Sequence, residues 1–170
     1  MTAAAVLGGG PSLPKDLVKL PKDCILISVN DHALHHCQPQ YLVHMDNDFE
    51  KCPELGQAVK NFNGTIISPF ANSNVKLPKG EWWDGGFTST LATWFACWRD
   101  FDPVILCGMD CYQGAVKYCH PRPGFYHPTF DDPLENHLRA WRFALKKCPH
   151  PERIKAMSGP LVEIFGKYER

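Results

Sequence analysis

Four short stretches hold residues whose types and spacing could do chemistry. "GGGPSL" supplies Gly8, Gly9, Gly10 and Ser12 directly after the first apolar run. Glycines let backbone approach an anion closely, and a helix start beyond them would offer free N–H groups beside the Ser12 hydroxyl. A nucleotide phosphate is the natural guest. Leu13 stands where a dinucleotide fingerprint would have its third glycine, and no P-loop lysine follows. A tight strand-to-helix turn that binds nothing is the competing reading.

"HMDNDFE" places Asp46 and Asp48 in a D-x-D arrangement. Their oxygens would suit Mg²⁺ or Mn²⁺ on a diphosphate, and a solvated turn fits the same residues. "VILCGMDCYQG" delivers Asp110 and Tyr112 just beyond an apolar run. "GFYHPTF" holds His127, whose reference pKa near neutrality suits a general base; an ordinary surface histidine is the alternative.

Two further groups raise the question of a metal. His32, His35 and His36 fall at i, i+3 and i+4, and would share one face of a helix, with Cys37 nearby. Cys107, Cys111, Cys119 and His120 form a second candidate set, although Cys107 reads as the end of a buried strand. Zinc is the ion such donors would take, and structural packing explains them equally. Trp82 and Trp83, beside Asp84-Gly85-Gly86, could stack on a base or a sugar, or fill the core.

These residues need elements to position them. Ala3–Leu7, Cys24–Val29, Tyr41–Met45, Thr65–Ile67 and Val104–Cys107 are short runs without polar alternation, the pattern of parallel strands covered on both faces. Leu91, Trp94, Phe95 and Trp98 recur at helical spacing, as do Leu134, Leu138, Trp141 and Leu145. Asp131 or Asp132 could cap the second helix and Pro133 suits its first turn. Strands alternating with helices predict a three-layer αβα, Rossmann-like α/β fold with a mainly parallel sheet. Each strand ends in polar groups, Asn30 and Asp31 after the second among them, and open α/β sheets bind ligands at those carboxyl ends.

Composition narrows the function. The chain has 170 residues, with Lys+Arg and Asp+Glu both at 18. It reads as one domain, residues 1–170, and the balance argues against a broad basic surface for duplex nucleic acid. No apolar run reaches the roughly 20 residues of a membrane span, and the start lacks a basic, signal-like region. A cytoplasmic protein is therefore expected, with the eight cysteines reduced.

The motifs, in order, resemble a known family. "GGGPSL" followed by "LPKD…N" is similar to the start of the bacterial sialyltransferases of glycosyltransferase family 42. It is also similar to the MptE-like group, which includes 6-hydroxymethylpterin diphosphokinases. Phe87-Thr88-Ser89, an apolar helix and then "VILCGMDCYQG" resemble the sialyltransferases' second block. "FYH" falls where that family places its catalytic histidine, and "AMSGPLVEIF" resembles its end, a serine turn after a last short strand. Gly9 stands where the family usually has asparagine, and no basic residue directly precedes Phe87.

The resemblance implies a transferase using a nucleotide-activated sugar, with a CMP-sugar as the family's donor, and no required metal or cofactor. Gly8, Gly9, Gly10, Ser12, Asn30, Asp46, Thr88, Ser89 and Asp110 would hold the donor. Tyr112 and Tyr118 would hydrogen-bond the departing phosphate, and His127 would deprotonate the acceptor. Two alternatives stay open. One is a pterin-type diphosphokinase with Mg²⁺ on Asp46, Asp48 or Asp110; the other is a nucleotide-binding module without catalysis. The partners implied are a nucleotide or nucleotide-sugar, an acceptor the sequence does not name, and another copy of the chain.

Overall fold

A computed structural model describes residues 1–78, 86–122 and 127–169. Trp82, Trp83, Asp84, Gly85, Phe125 and Tyr126 lie outside the described residues. Six strands form one sheet: β1 (Ala4–Leu7), β2 (Ile25–Val29), β3 (Tyr41–Val43), β4 (Thr65–Ile67), β5 (Val104–Cys107) and β6 (Ile154–Ala156). Their spatial order is β4-β3-β2-β1-β5-β6, and every neighbouring pair is parallel. The predicted α/β, Rossmann-like architecture is what the chain forms.

Five α-helices accompany the strands among the described residues: α1 (Leu13–Leu17), α2 (Pro53–Asn61), α3 (Thr88–Trp98), α4 (Leu134–Ala144) and α5 (Val162–Phe165). The two helices read from apolar spacing are α3 and α4. Neither Asp131 nor Asp132 caps α4; Pro133 occupies the cap position, with no side-chain cap bond.

Strand burial explains the missing alternation. All of β1 and β5 is buried. Ala4 and Val6 face a large core with Phe95, Trp94, Leu138 and Trp141. Ala5 and Leu7 face a smaller one with Leu13, Ile105 and Met157. Successive side chains of a strand point to opposite faces, so two covered faces require apolar residues at every position. Phe95, on α3, is fully buried, and truncating such a residue costs about 3–5 kcal/mol. Cys24, Cys97 and Cys107 are buried thiols in these cores, and all eight cysteines are free. No helix among the described residues is long and apolar enough to cross a membrane.

From β1 the chain runs outward through β2, β3 and β4, then returns through α3 to β5 on the other side of β1. The order thus reverses between β1 and β5. A crevice opens at the carboxyl ends of strands where such a reversal occurs.

Candidate functional site

A cavity of about 360 Å³ lies at that reversal, within the size range of small-molecule sites. It draws its walls from the turns after β1, β2, β3 and β5 and from the start of α3. Gly8, Gly9, Gly10, Asn30, Asp46, Thr88, Ser89, Asp110, Tyr112, Tyr118 and His127 all line it. Residues spread from position 8 to position 127 are brought together by the strand ends, the start of α3 and the loops beyond β5.

The glycine turn reaches the cavity, but its polar groups are engaged within the protein. Gly8 N–H donates to the Cys107 carbonyl and Gly10 N–H to the Gly108 carbonyl, both at 2.8 Å. Ser12 does not line the cavity. Its N–H (2.9 Å) and its hydroxyl (2.8 Å) both donate to Asp110 Oδ2. The free helix-start donors expected at Ser12 are therefore not available, and α1 has only 5 residues. The glycines answer a packing demand. A Cβ on Gly10 would lie 2.1 Å from Asp110 Oδ2, and one on Gly9 would lie 2.6 Å from the His32 ring. His32 fills the space that an asparagine at position 9 would need.

Asp16, 1% exposed, completes this joint. Its Oδ2 accepts from Gly108 N–H (3.1 Å) and the Ser158 hydroxyl (2.7 Å), and lies 3.3 Å from Ser12 Oγ. The turns after β1, β5 and β6 are thereby tied at one carboxylate. Ser158, from the tail motif, serves this joint.

The turns after β2 and β5 carry backbone strain toward the cavity. Asn30, Cys111 and Tyr112 take φ of 53°, 51° and 55°, the left-handed region that non-glycine residues rarely occupy. Such conformations gather at ligand sites, where surrounding structure must hold them. Asn30 Nδ2 donates to Asp46 Oδ2 at 3.5 Å, while its buried Oδ1 has no hydrogen-bond partner among the described residues.

At the far end stands an aromatic group. The Tyr118 hydroxyl donates to the Tyr112 hydroxyl at 3.4 Å, and Tyr112 lies edge-on to Phe130. Burial raises the pKa of both phenols, so at neutral pH each remains a donor. Lys117 Nζ donates to the carbonyls of Tyr112 (2.7 Å) and Phe130 (3.2 Å), fixing the turn. Burial lowers the His127 pKa, and the ring is neutral at pH 7. Its Nδ1 lies 2.8 Å from Thr129 Oγ1 and 3.3 Å from the Thr129 amide nitrogen.

Sequence reasoning missed three lining side chains of consequence, Lys117, Arg122 and His137, and read His32 as a metal donor where it forms part of the cavity wall. His137 had a legible signal. It sits at the i+3 position of the apolar face that begins at Leu134, where a polar residue must find a partner. It is 3% exposed, and its Nε2 donates to the Thr129 carbonyl at 3.2 Å. Arg122 donates to Asp31 and lies over the Tyr118 ring, 5.3 Å from its centre.

The expected metal donors do not assemble as read. Asp48 is exposed and pairs with Lys51 at 2.7 Å, while Asp46 lines the cavity. His32–His35 is a 3₁₀ helix, so His32 and His35 align while the exposed His36 and Cys37 turn away. Cys107 is buried in the smaller core, and Cys111 Sγ turns to the Met109 carbonyl at 3.7 Å. Among the described residues, the donors that approach one another are Asp31, His35 and His120. The thiols stay protonated: burial pushes Cys111 up to about 12 and Cys119 to about 11, and raises Cys52 at the cavity wall.

Strand order, reversal and cavity together can be compared with solved structures. The fold resembles that of a sialyltransferase. CstII from Campylobacter jejuni, in complex with cytidine-5'-monophosphate, matches with a TM-score of 0.60 at 13% identity over 99% of this chain and 86% of that one. Its complex with CMP-3FNeuAc matches with a TM-score of 0.61 at 13% identity, over 100% and 87%. The sialyltransferase-like fold implied by the motifs is thus observed. No family model matches the chain, and neither does any curated protein.

Proposed function

We propose that the chain is a transferase acting on a nucleotide-activated sugar. The observation that carries this reading is the gathering of Asn30, Thr88, Ser89, Tyr112, Tyr118 and His127 around one cavity at the reversal of the sheet. Support comes from the fold of an enzyme whose structures hold CMP and a CMP-sugar.

In this reading the nucleotide phosphate lies at the start of α3, an 11-residue helix opened by Thr88 and Ser89. Its first N–H groups and these two hydroxyls suit an anion. Asn30 Oδ1, a buried acceptor, takes a donor from the nucleotide. During transfer the acceptor oxygen bonds the anomeric carbon as the bond to the nucleotide phosphate breaks. The phosphate leaves with the electron pair, and the protonated phenols of Tyr112 and Tyr118 stabilise it. His127 Nε2 takes the acceptor's proton while Nδ1–H donates to Thr129 Oγ1, the shorter of its two contacts. Proton transfer of this kind contributes about 10²–10⁴-fold.

One observation favours a different division of labour. The Thr129 amide can only donate, and its contact with Nδ1 places the His127 proton on Nε2. His127 then donates to the leaving group, and His137 becomes the base. With its Nε2–H held by a carbonyl, His137 keeps a lone pair on Nδ1.

The test is a thermal-shift panel of CMP, UDP, GDP and ATP, each with and without Mg²⁺, followed by hydrolysis of the matching nucleotide-sugar. A ligand that binds only the folded form raises the melting temperature. One nucleotide is expected to do so without metal, and its sugar conjugate to be turned over. A shift that strictly requires Mg²⁺ would point to phosphoryl transfer. Binding without turnover would leave a nucleotide-binding module, and no shift with any nucleotide would overturn the proposal.

A further inference from the structure

On the flank of the cavity, three donors from two chain segments meet. Asp31 and His35 belong to the turn after β2, and His120 to the loop after β5. One ligand atom from each lies within 4.8 Å of the other two. His35 Nε2 is 3.7 Å from Asp31 Oδ2. A tetrahedral zinc ion with bonds of about 2.0–2.1 Å holds its ligands roughly 3.4 Å apart, so modest side-chain movement closes the set.

The carboxylate supplies a second, independent observation. Asp31 is 3% exposed. Its Oδ1 accepts from Arg122, while Oδ2 is buried with no hydrogen-bond donor among the described residues. A buried carboxylate oxygen left in that state is costly, and His35 Nε2, 3.7 Å away, stops short of hydrogen-bond distance. The rings suit a metal. His35 and His120 stack with centres 4.2 Å apart, and His32 Nδ1 meets His120 Nε2 at 2.9 Å.

We infer that Asp31, His35 and His120 form a site for a first-row transition ion of the zinc type, which clamps the loop after β5 against the turn after β2. Two imidazoles and one carboxylate select such an ion over Mg²⁺ or Ca²⁺, and three protein ligands leave a position for water. Because Asp31 also lines the cavity and holds Arg122, the clamp stiffens the wall that carries Tyr118. The site stands whether or not the transferase reading holds.

The experiment uses the full chain stripped by a chelator, with Zn²⁺, Co²⁺ and Mg²⁺ as probes. Zn²⁺ is expected to raise the melting temperature and Mg²⁺ to leave it unchanged. Co²⁺ should show ligand-field absorption without thiolate charge transfer. His35→Ala, at an exposed position, and His120→Asn should each weaken Zn²⁺ binding by about tenfold or more. Without metal, both variants should melt close to the parent, which separates lost ligation from lost folding. Undiminished Zn²⁺ binding in both variants, thiolate absorption with Co²⁺, or no shift with Zn²⁺ would each overturn the site.

Discussion

Ser12 donates both its backbone N–H and its hydroxyl to one oxygen of Asp110, 98 residues further along the chain. This pair closes the turn after β1 onto the turn after β5. Together with Asp16 it gives the cavity a rigid floor.

Ser12→Ala removes one hydrogen bond to a charged acceptor, and a loss of about 1.5–3 kcal/mol in unfolding free energy is expected. Asp110→Asn should cost a similar amount. Because both act on one contact, the double variant should lose less than the sum. Urea unfolding of the four proteins measures this, and additivity within about 0.5 kcal/mol would break the pairing.

Gly10→Ala places a methyl 2.1 Å from the Asp110 carboxylate and 2.7 Å from the Gly108 carbonyl. The backbone must move, at about 1–3 kcal/mol. For a chain of this size each kcal/mol lowers Tm by about 2–4 °C. Calorimetry should find a clear drop, and an unchanged Tm would mean that the turn is looser than its contacts imply.

His127→Gln and His137→Gln separate the two proton routes. If His127 is the base, its loss lowers kcat by about 10²-fold or more with nucleotide binding kept, while His137→Gln acts mainly on stability. If His137 is the base, the large loss of kcat falls on His137→Gln instead. Equal activity of parent and both variants would remove histidine from the chemistry.

His32 gives stability a pH dependence with a defined sign. Its folded pKa falls from 6.5 to about 3 because burial opposes the charged ring. Between those values the unfolded chain binds the extra proton. Stability is therefore full above about pH 6.5 and declines as pH falls toward 3, by at most about 1.4 kcal/mol per pH unit from this group. His32→Phe should flatten the slope in urea unfolding at pH 7, 5.5 and 4.5. An unchanged slope would assign the acid sensitivity to other groups.

Much of the fold was legible because burial on both faces leaves a direct trace. Thr65–Ile67 and Val104–Cys107 are strands at the predicted residues, and Leu91, Trp94 and Phe95 mark the buried face of α3. β6 was harder: Ile154 and Ala156 are buried, but Lys155 between them breaks the apolar run. α2 has a single buried residue, Leu55, and so little apolar spacing to read.

The amino-acid order by itself determined which residues are polar at the strand ends, and local chemistry was enough for that. Only the tertiary structure decided what each one faces. Ser12 turned from an imagined phosphate to Asp110, Asp48 turned from Asp46 to Lys51, and His35 left His36 for His120. Contacts across 85 or 98 positions depend on strand order and on which oxygen is nearest in space. Neither is encoded in the spacing of a single segment.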